Sequence, residues 1–498
     1  MRIHAKHYLR GTLAGGLALA LAACAVGPDY RRPPAPTALR YTAEVQSDTT
    51  ASAPVPGGAA QRLVSSMDIP GQWWTLFRSE PLNALIEEAL RRNADVEAAH
   101  EALRAAWESV YAQRGAYFPQ VEGSVESTRQ HIASDLASPA QSGASLYSLT
   151  TAQVSVSYAL DLWGGTRRQV ESAVAAANVQ RFQLEATYLT LTSNLANAAI
   201  EEASLRAQMQ ATQEIIQAQS KILATVQRQY ALGDLPEAAV AAQVTALEQS
   251  RAALPPLQKQ LAQQRDLLAA LSGRTPDQGI DARFTLDDLH LPSELPLSLP
   301  ARLVEQRPDV RAAEAQLHAA SAEVGVAVAA RLPNVQIDAS FGRAAEGAGE
   351  LFKAGSGFWN LGAGVTQPLF DANSLRHRQR AAEAGYRQAA AQYRSAVLAA
   401  VQNVADVLQA VQADAHALAA TQRAEQAAAR SLDIARRQLA LGDLGESALL
   451  EAQLAWQQSR IALVQARAER YSDTVALFQA LGGGWWHRDD TTASTGGK

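Results

Sequence analysis

Hydrophobic residues recur along this chain with two different periods, and each period occupies its own segments. Two long stretches place apolar residues seven positions apart, a spacing typical of helices that pack side by side. Proline is absent from 163 to 235 and again after Pro368. Helices of roughly 70 residues are therefore expected, on the order of 100 Å long. The spaced residues are Tyr188, Leu195, Met209, Ile216, Leu223 and Tyr230 in the first stretch and Val397, Val404, Val411 and Leu418 in the second.

Shorter segments alternate apolar and polar residues, which predicts β-strands with two different faces. The clearest are 153–160 and 334–341, and weaker alternation at 121–127 and 359–365 gives two strands in each half of the chain. We expect each strand to have about 9 to 11 residues, the length that crosses a bilayer when the strand is tilted. The Gly-, Ser- and Ala-rich segments between the paired strands are expected to be loops.

The two halves are copies of one unit. Seven of fourteen residues are identical between 93–106 and 307–320, and seven of eight between 228–235 and 437–444. Each copy is expected to contain a helix, two strands, a long helix, a Gly-Asp turn and one returning helix. The returning helices are expected at 239–271 and 447–481.

Four strands cannot close a membrane barrel, because the smallest such barrels use about eight. An unpaired strand edge is also unstable in lipid, so the chain must assemble with copies of itself. Three copies in a cyclic ring would supply twelve strands. The long helices exceed any bilayer and must stand in an aqueous space. The expected fold is a homotrimer with a membrane β-barrel and a long periplasmic α-helical barrel, four strands coming from each protomer.

A secretory leader precedes the repeats. Residues 1–23 are basic at the start, then apolar, and they end in Leu-Ala-Ala before Cys24. This ending resembles the lipobox of bacterial lipoproteins, which makes Cys24 the expected lipidation site; two or three acyl chains anchor a protein stably. Ala25 follows where Asp would favour another membrane, so by the same resemblance the outer membrane is expected. Residues 28–58 are rich in Pro, Ala, Ser and Thr, which predicts an extended tether.

Composition argues against several other functions. The chain after residue 23 has a net charge of −8 and no basic blocks, so nucleic acid is not expected as a partner. Cys24 is the only cysteine and the histidines are scattered, so we expect no metal site. No nucleophile stands near a base in the sequence, and no catalytic residues or enzymatic activity are expected. The covalent lipid is the only bound group expected.

Motifs in a fixed order resemble those of outer-membrane efflux proteins. More narrowly, the chain is similar to the NodT-type lipoproteins among the TolC-like and OprM-like channel subunits of resistance-nodulation-division pumps. The resemblance implies a passive conduit that exports drugs or other small molecules together with a periplasmic adaptor and an inner-membrane, proton-driven pump. The motifs are the lipobox with Cys-Ala-Val-Gly-Pro-Asp-Tyr from Cys24, the duplication, Trp163-Gly164, Leu369-Phe370-Asp371 and Leu481-Gly482-Gly483-Gly484-Trp485.

The same resemblance assigns roles to residues at the predicted periplasmic tip. It implies that Glu451 in Leu-Leu-Glu-Ala-Gln contributes to the gate, where some relatives carry Asp. Ser447 aligns with a bulky aliphatic residue that narrows the tip in some relatives, so the gate would be looser or sealed elsewhere. Three symmetric carboxylates around a narrow axis would favour cations. The turns that would meet the adaptor contain Gly233, Asp234, Gly442 and Asp443.

Two other functions fit part of the pattern. A type I secretion conduit would use the same architecture to pass proteins, and a periplasmic coiled-coil lipoprotein scaffold would need the helices without the barrel. The expected division of the chain is a lipoprotein signal at 1–23, a lipidated tether and entry segment at 24–75, a first repeat at 76–274, a connecting segment at 275–300, a second repeat at 301–484 and a tail at 485–498.

Overall fold

The computed structural model describes residues 25–488 apart from 39, 45, 66, 132, 134–145, 442 and 444. The signal at 1–23, Cys24, Gly442 and the last ten residues therefore lie outside the described part. Two compact units are present, each assembled from three separate stretches of chain. Unit 1 contains Leu103–Gln180, Ala313–Tyr393 and the described part of Met1–Arg32; unit 2 contains Pro33–Ala102, Arg181–Ala312 and the described part of Arg394–Lys498.

Helices and strands alternate in the order that the duplication predicts. The helices are α1 Glu80–Arg92, α2 Ala94–Arg114, α3 Gly165–Leu232, α4 Glu237–Ala252, α5 Leu254–Leu271, α6 Pro300–Gln306, α7 Pro308–Ala329, α8 Ser374–Leu441 and α9 Glu446–Ala480. The strands are β1 Arg62–Ser65, β2 Gln120–His131, β3 Leu146–Leu160, β4 Glu294–Leu297, β5 Asn334–Ala345 and β6 Gly357–Thr366.

The four predicted strands form one antiparallel sheet in unit 1, in the order β2-β3-β5-β6. They have 12, 15, 12 and 10 residues, so three are longer than the expected 9 to 11. The sheet therefore extends past the length that a tilted strand needs to cross lipid. The outer edges of β2 and β6 have no partner strand in the described part of the chain.

The two long helices confirm the duplication, because α3 and α8 each contain 68 residues. Each is preceded by an aspartate whose carboxylate accepts hydrogen bonds from backbone amides of the first turn, which have no partner within the helix. Asp161 accepts from Thr166 N at 3.0 Å and Arg167 N at 2.9 Å. Asp371 does the same for Leu375 N at 2.8 Å. The two copies therefore start their long helices by the same device.

The returning helices of the two copies differ, and one expectation was wrong. The second return is a single helix, α9, whereas the first is divided into α4 and α5 at Ala253. Pro255 and Pro256 follow the break, and a proline inside a helix lacks the amide hydrogen and clashes with the preceding turn. The uninterrupted helix expected at 239–271 ignored this pair because the apolar spacing continues through it.

Unit 2 has an aromatic core at the base of α9. Trp73 stacks on Phe478 with ring centroids 5.3 Å apart, and Tyr471 donates a hydrogen bond to the Leu289 carbonyl at 2.8 Å. Arg470 is almost completely buried and donates to Gln61 Oε1 at 3.0 Å. The parallel pair β1 and β4 joins the expected entry segment to the connecting segment. Ala53, within the expected tether, packs in one cluster with Leu418 and Leu463, so part of the tether is packed against the second repeat.

Among the helices of the described chain, α8 alone is long and apolar enough to cross a membrane. Within α8, an 18-residue window reaches a mean hydropathy of 1.2, and 22% of that window is buried. The full helix is about 100 Å long, several times the thickness of a bilayer. Its heptad residues Val404, Val411 and Leu418 are buried within unit 2. We therefore assign α8 to the helical extension, where an apolar stripe is needed for packing.

A carboxyl pair between α8 and α9 predicts pH-dependent stability. Burial and the neighbouring Asp414 and Glu469 raise the pKa of Asp473 to about 8. The folded chain therefore holds a proton that the unfolded chain releases near pH 4, so stability falls as pH rises between these values. Asp473→Asn cannot ionise, and we expect it to stabilise the fold by on the order of 1–2 kcal/mol at pH 8, with little effect at pH 4.

Thermal unfolding followed by circular dichroism at pH 4, 6 and 8 measures this effect. Asp433→Asn is the control, because Asp433 is an exposed partner of Arg437 on α8. Equal destabilisation by Asp473→Asn at all three pH values would contradict the prediction.

Candidate functional site

The register of the sheet separates apolar from polar side chains. Directly paired residues share a face, and the pairs Val154–Phe341, Val156–Ala339 and Phe341–Trp359 place the apolar alternation of three strands on one side. Val121 pairs with Val156 and extends this face to β2. The side chains here are exposed, Val125 and Trp359 each at 78%. The opposite face carries Glu122, Ser124, Gln153, Ser155, Gln336, Asp338 and Asn360.

At one end of the strands, the sheet joins the helices and carries exposed apolar residues. The start of β2 and β5 and the end of β3 and β6 all lie there; we call this end of the sheet the junction edge, as distinct from the open sides of β2 and β6. Trp163 donates its indole hydrogen to the Pro333 carbonyl at 2.8 Å and so ties two of the connections together. Phe118, Leu369 and Phe370 are 69%, 94% and 89% exposed. Exposed apolar residues at the ends of barrel strands are typical of a membrane–water boundary.

The residues that follow Cys24 are docked at the junction edge; we call residues 25–32 the N-terminal strap. Val26 N donates to the Trp163 carbonyl at 3.0 Å, and Arg168 Nε donates to the Val26 carbonyl at 3.3 Å. At Gly27, where φ is +94°, an added Cβ would lie 2.4 Å from Gly325 Cα. Only glycine fits this conformation and this close approach. Cys24 itself lies outside the described residues.

Charged groups hold the strap in place. Arg168, with a side chain only 5% exposed, forms ion pairs of 2.7 Å with both Asp29 and Glu171. The hydrogen bond from Arg168 is the main reason that the pKa of Asp29 is lowered. Burial alone would raise the pKa of Glu171, but hydrogen bonds from His318 and Arg168 outweigh it and lower the value.

A second contact lies further along the strap. Tyr30 stacks on His318 with ring centroids 4.2 Å apart, and its hydroxyl donates to Glu314 at 3.4 Å. Burial raises the pKa of Tyr30, and the Glu314 carboxylate adds to the increase. Arg32 pairs with the same carboxylate at 3.0 Å. The Asp29-Tyr30 dipeptide of the lipoprotein motif is therefore a docking element.

The predicted tip turns come together at one end of unit 2. Gly233 adopts φ +84°, and Asp234 N donates to the Gln229 carbonyl at 3.0 Å, which ends α3 with a left-handed cap. Asp443 N makes the same bond to the Gln438 carbonyl at 2.9 Å; Gly442 lies outside the described residues. One apolar cluster with residues from all four neighbouring helices joins the turns: Ile222, Val226, Ala239, Leu432, Ala435, Leu439, Leu449 and Ala452.

Ser447 and Glu451 share an exposed stripe on α9. They are four residues apart, so they lie one above the other, while Leu449 and Ala452 face the buried cluster. Leu454 continues this stripe and is 48% exposed, although the family resemblance assigns it no role. Gln243 and Gln453 are buried nearby, and their side-chain amides find no hydrogen-bond partner in the described part of the chain.

The described residues contain no group of three or more His, Cys, Asp or Glu side chains arranged to hold a metal ion. The features that stand out are instead a two-faced sheet, a docked N-terminus and a helical tip. A sheet that is apolar on one side and polar on the other, continued by helices of about 100 Å, defines an outer-membrane channel with a periplasmic extension.

This chain belongs to the outer membrane efflux protein family, whose model matches residues 85–274 and 299–483. It is 30% identical to the pyoverdine export outer membrane protein OpmQ of Pseudomonas aeruginosa over 418 residues, which cover 83% of this chain and 87% of the relative. It is 28% identical to the toluene efflux pump outer membrane protein TtgC of Pseudomonas putida over 474 residues, 95% of each chain.

Solved structures show the same fold. The outer-membrane channel OprN superimposes with a TM-score of 0.82 at 26% identity, covering 93% of this chain and 100% of that one. The protein is therefore the outer-membrane channel component of an efflux pump. The expectations of fold, outer-membrane location and efflux function are confirmed, and the scaffold alternative, which lacked a barrel, was wrong.

The strap makes a prediction about Arg168. In Arg168→Gln the two ion pairs and the contact with Val26 are lost, which costs about 1–2 kcal/mol of docking free energy. We expect trypsin to cut after Arg31 about tenfold faster in this variant. The measurement is N-terminal sequencing of products during limited proteolysis of the detergent-solubilised protein. Arg437→Gln, which removes an exposed pair on α8, is the control. Unchanged cleavage in Arg168→Gln would show that the strap is held by other contacts.

Proposed function

We propose that three copies of this chain form a passive conduit through the outer membrane and into the periplasm. The observation that carries the proposal is the four-stranded sheet with one apolar face, one polar face and two open edges. Both edges expose backbone hydrogen-bonding groups that lipid cannot satisfy.

The geometry favours three copies. The strands alternate in direction, so β6 of one copy meets β2 of the next in antiparallel order and continues the same pattern. Two copies would give eight strands, a barrel whose interior is filled by its own side chains. Three copies are the fewest that leave an open lumen, and a cyclic ring closes every edge. The polar face of the sheet then lines the lumen, and the apolar face contacts lipid.

The lipid on Cys24 would be a second anchor. The N-terminal strap holds Ala25 beside Gly164 at the junction edge, where an added Cβ at Gly164 would approach Ala25 within 2.9 Å. Acyl chains on the preceding residue would enter the membrane near the exposed residues Phe118, Leu369 and Phe370. Lipidation thus adds to a contact that the folded chain already makes.

The partners we propose are a periplasmic adaptor and a proton-driven pump of the inner membrane. Relatives named as components of efflux pumps support partners of this kind. The turns with Gly233, Asp234, Gly442 and Asp443 are the expected adaptor contacts. Near them, a groove of about 490 Å³ between α3 and α8 contains Lys221 and Arg436, so both charge and apolar surface are available. Relatives named for pyoverdine and toluene carry different cargo, which favours selection by the pump rather than by this chain.

The gate we propose uses the stripe of Ser447, Glu451 and Leu454. In a ring of three copies, an exposed carboxylate repeated around the axis focuses a negative potential. Leu454, one turn further along the helix, would supply the bulk that Ser447 lacks. The unpartnered amides of Gln243 and Gln453 leave the adjacent packing less stable than a fully satisfied core, which suits a segment that must rearrange.

The barrel is tested by placing an arginine on each face of β6. Leu361 lies on the apolar face and is 67% exposed, whereas its neighbour Asn360 lies on the polar face. We expect Leu361→Arg to lose about 2–4 kcal/mol of membrane stability and to yield few heat-resistant trimers. Asn360→Arg should assemble normally. Measurement is by migration of heated and unheated outer-membrane extracts. Equal assembly of both variants would contradict the proposed orientation.

Conductance tests the gate. We expect Glu451→Ala and Asp443→Ala to raise the basal single-channel conductance about twofold or more and to reduce the preference for cations. Glu248→Ala is the control, because Glu248 is an exposed residue of α4 paired with Arg251. Planar-bilayer recordings give both quantities. Conductance and selectivity that are unchanged in both gate variants would refute this assignment while leaving the barrel intact.

A further inference from the structure

Arginine side chains gather at the junction edge of the sheet. Each is exposed, and none forms an ion pair with a carboxylate in the part of the chain that the structure describes. Arg331 donates to the neutral Gln379, and the Arg114 guanidinium lies 5.8 Å from the centroid of the Tyr111 ring. We call the group the arginine collar; its members are Arg114 at the end of α2, Arg167 in the first turn of α3, Arg331 before β5, and Arg376, Arg378 and Arg380 in the first two turns of α8.

The nearby carboxylates have other partners or lie on the sheet. Asp29 is close enough to interact with the charge of Arg167, but its ion pair is with Arg168. Asp161 and Asp371 are engaged by backbone amides at the starts of α3 and α8, where they compensate the positive ends of the helix dipoles. Glu122 and Asp338 lie on the polar face of the sheet by register. The collar is thus a local positive region on a chain whose net charge after residue 23 is −8.

The collar adjoins an apolar boundary. Phe118 follows Arg114 by four residues, and Leu369 and Phe370 precede Arg376 by seven and six residues. These apolar residues are among the most exposed in unit 1, and they directly adjoin strands β2 and β6, which the proposed function places in the membrane. Arginines directly beyond such exposed apolar residues lie at the depth of lipid headgroups. The guanidinium group also matches the oxygens of a phosphate in a two-point contact.

We propose that the arginine collar binds anionic phospholipid headgroups of the inner leaflet of the outer membrane. The occupant is a membrane lipid rather than free phosphate, because the collar flanks the exposed apolar residues Phe118, Leu369 and Phe370 at the ends of the proposed membrane strands. The collar adds to the apolar contact of the barrel and fixes the depth at which the sheet sits. The inference rests on the proposed placement of the sheet in the membrane.

The test is native mass spectrometry of the detergent-solubilised trimer titrated with phosphatidylglycerol or phosphatidylcholine. We expect a preference of about fivefold or more for phosphatidylglycerol, since each arginine engaged contributes roughly fivefold. The triple variant Arg376→Gln, Arg378→Gln, Arg380→Gln should lose most of this preference. The matched control is Arg423→Gln, Arg430→Gln, Arg437→Gln, three exposed positions that follow the collar by more than 40 residues on the same helix. Inorganic phosphate should not displace the bound lipid.

Several results would overturn the proposal. One is equal binding of the two lipids by the unmodified protein, which needs no variant and applies even if the triple variant fails to assemble. Another is an equal loss of preference in the collar variant and the control. Displacement by inorganic phosphate at equal concentration would show a free-anion site instead. If the collar variant forms heat-resistant, conducting trimers, a negative lipid result refutes the collar and leaves the proposed barrel intact. If the barrel proposal itself fails, no variant conducts.

Discussion

The pairing of strand edges in lipid is the constraint on which the rest of this molecule depends. A sheet of four strands satisfies its internal hydrogen bonds, but the edges of β2 and β6 remain open in the described chain. In water such edges invite aggregation, and in a bilayer each unpaired group costs several kcal/mol. Symmetry removes this cost, because the open edge of β6 in each copy pairs with the open edge of β2 in the next. Barrel formation and oligomerisation are therefore one event.

The helical extension follows from how the sheet ends. Both strand pairs finish at the junction edge, and both long helices leave that edge beneath an aspartate that caps their first amides. Because α3 and α8 have the same length, their Gly-Asp turns reach one apolar cluster and form a single tip. The N-terminal strap uses the same edge, with Arg168 linking α3 to Asp29. The starts of both long helices and the docking of the strap are thus set by a few connected residues.

Much of the architecture could be predicted from the sequence, because it rests on local periodicity and on duplication. Alternation fixed the two faces of β3 and β5, and heptad spacing located α3 and α8. The pair β1 and β4 could not be found in this way, since each strand has four residues and they pair across more than 200 positions. Residues 28–58, which include most of the strap, were expected to form an extended tether because of their Pro-, Ala-, Ser- and Thr-rich composition. The docking of the strap depends on Arg168, which lies 139 residues from Asp29 and carries no local signal.

The two repeats within the chain also differ in stiffness. In the second copy α9 runs unbroken from the tip to the aromatic core, where Arg470 and Tyr471 bind the backbone and side chains of distant segments. In the first repeat, Pro255 and Pro256 interrupt the backbone hydrogen bonds between α4 and α5. No continuous helix therefore connects α4, at the tip, to α5. A rearrangement that displaces α4 therefore disrupts fewer backbone bonds than one that displaces α9. The stripe of Ser447, Glu451 and Leu454, which we propose as the gate, lies on the stiffer helix. Opening by movement of α4 would therefore widen the tip while Ser447 and Glu451 keep their positions.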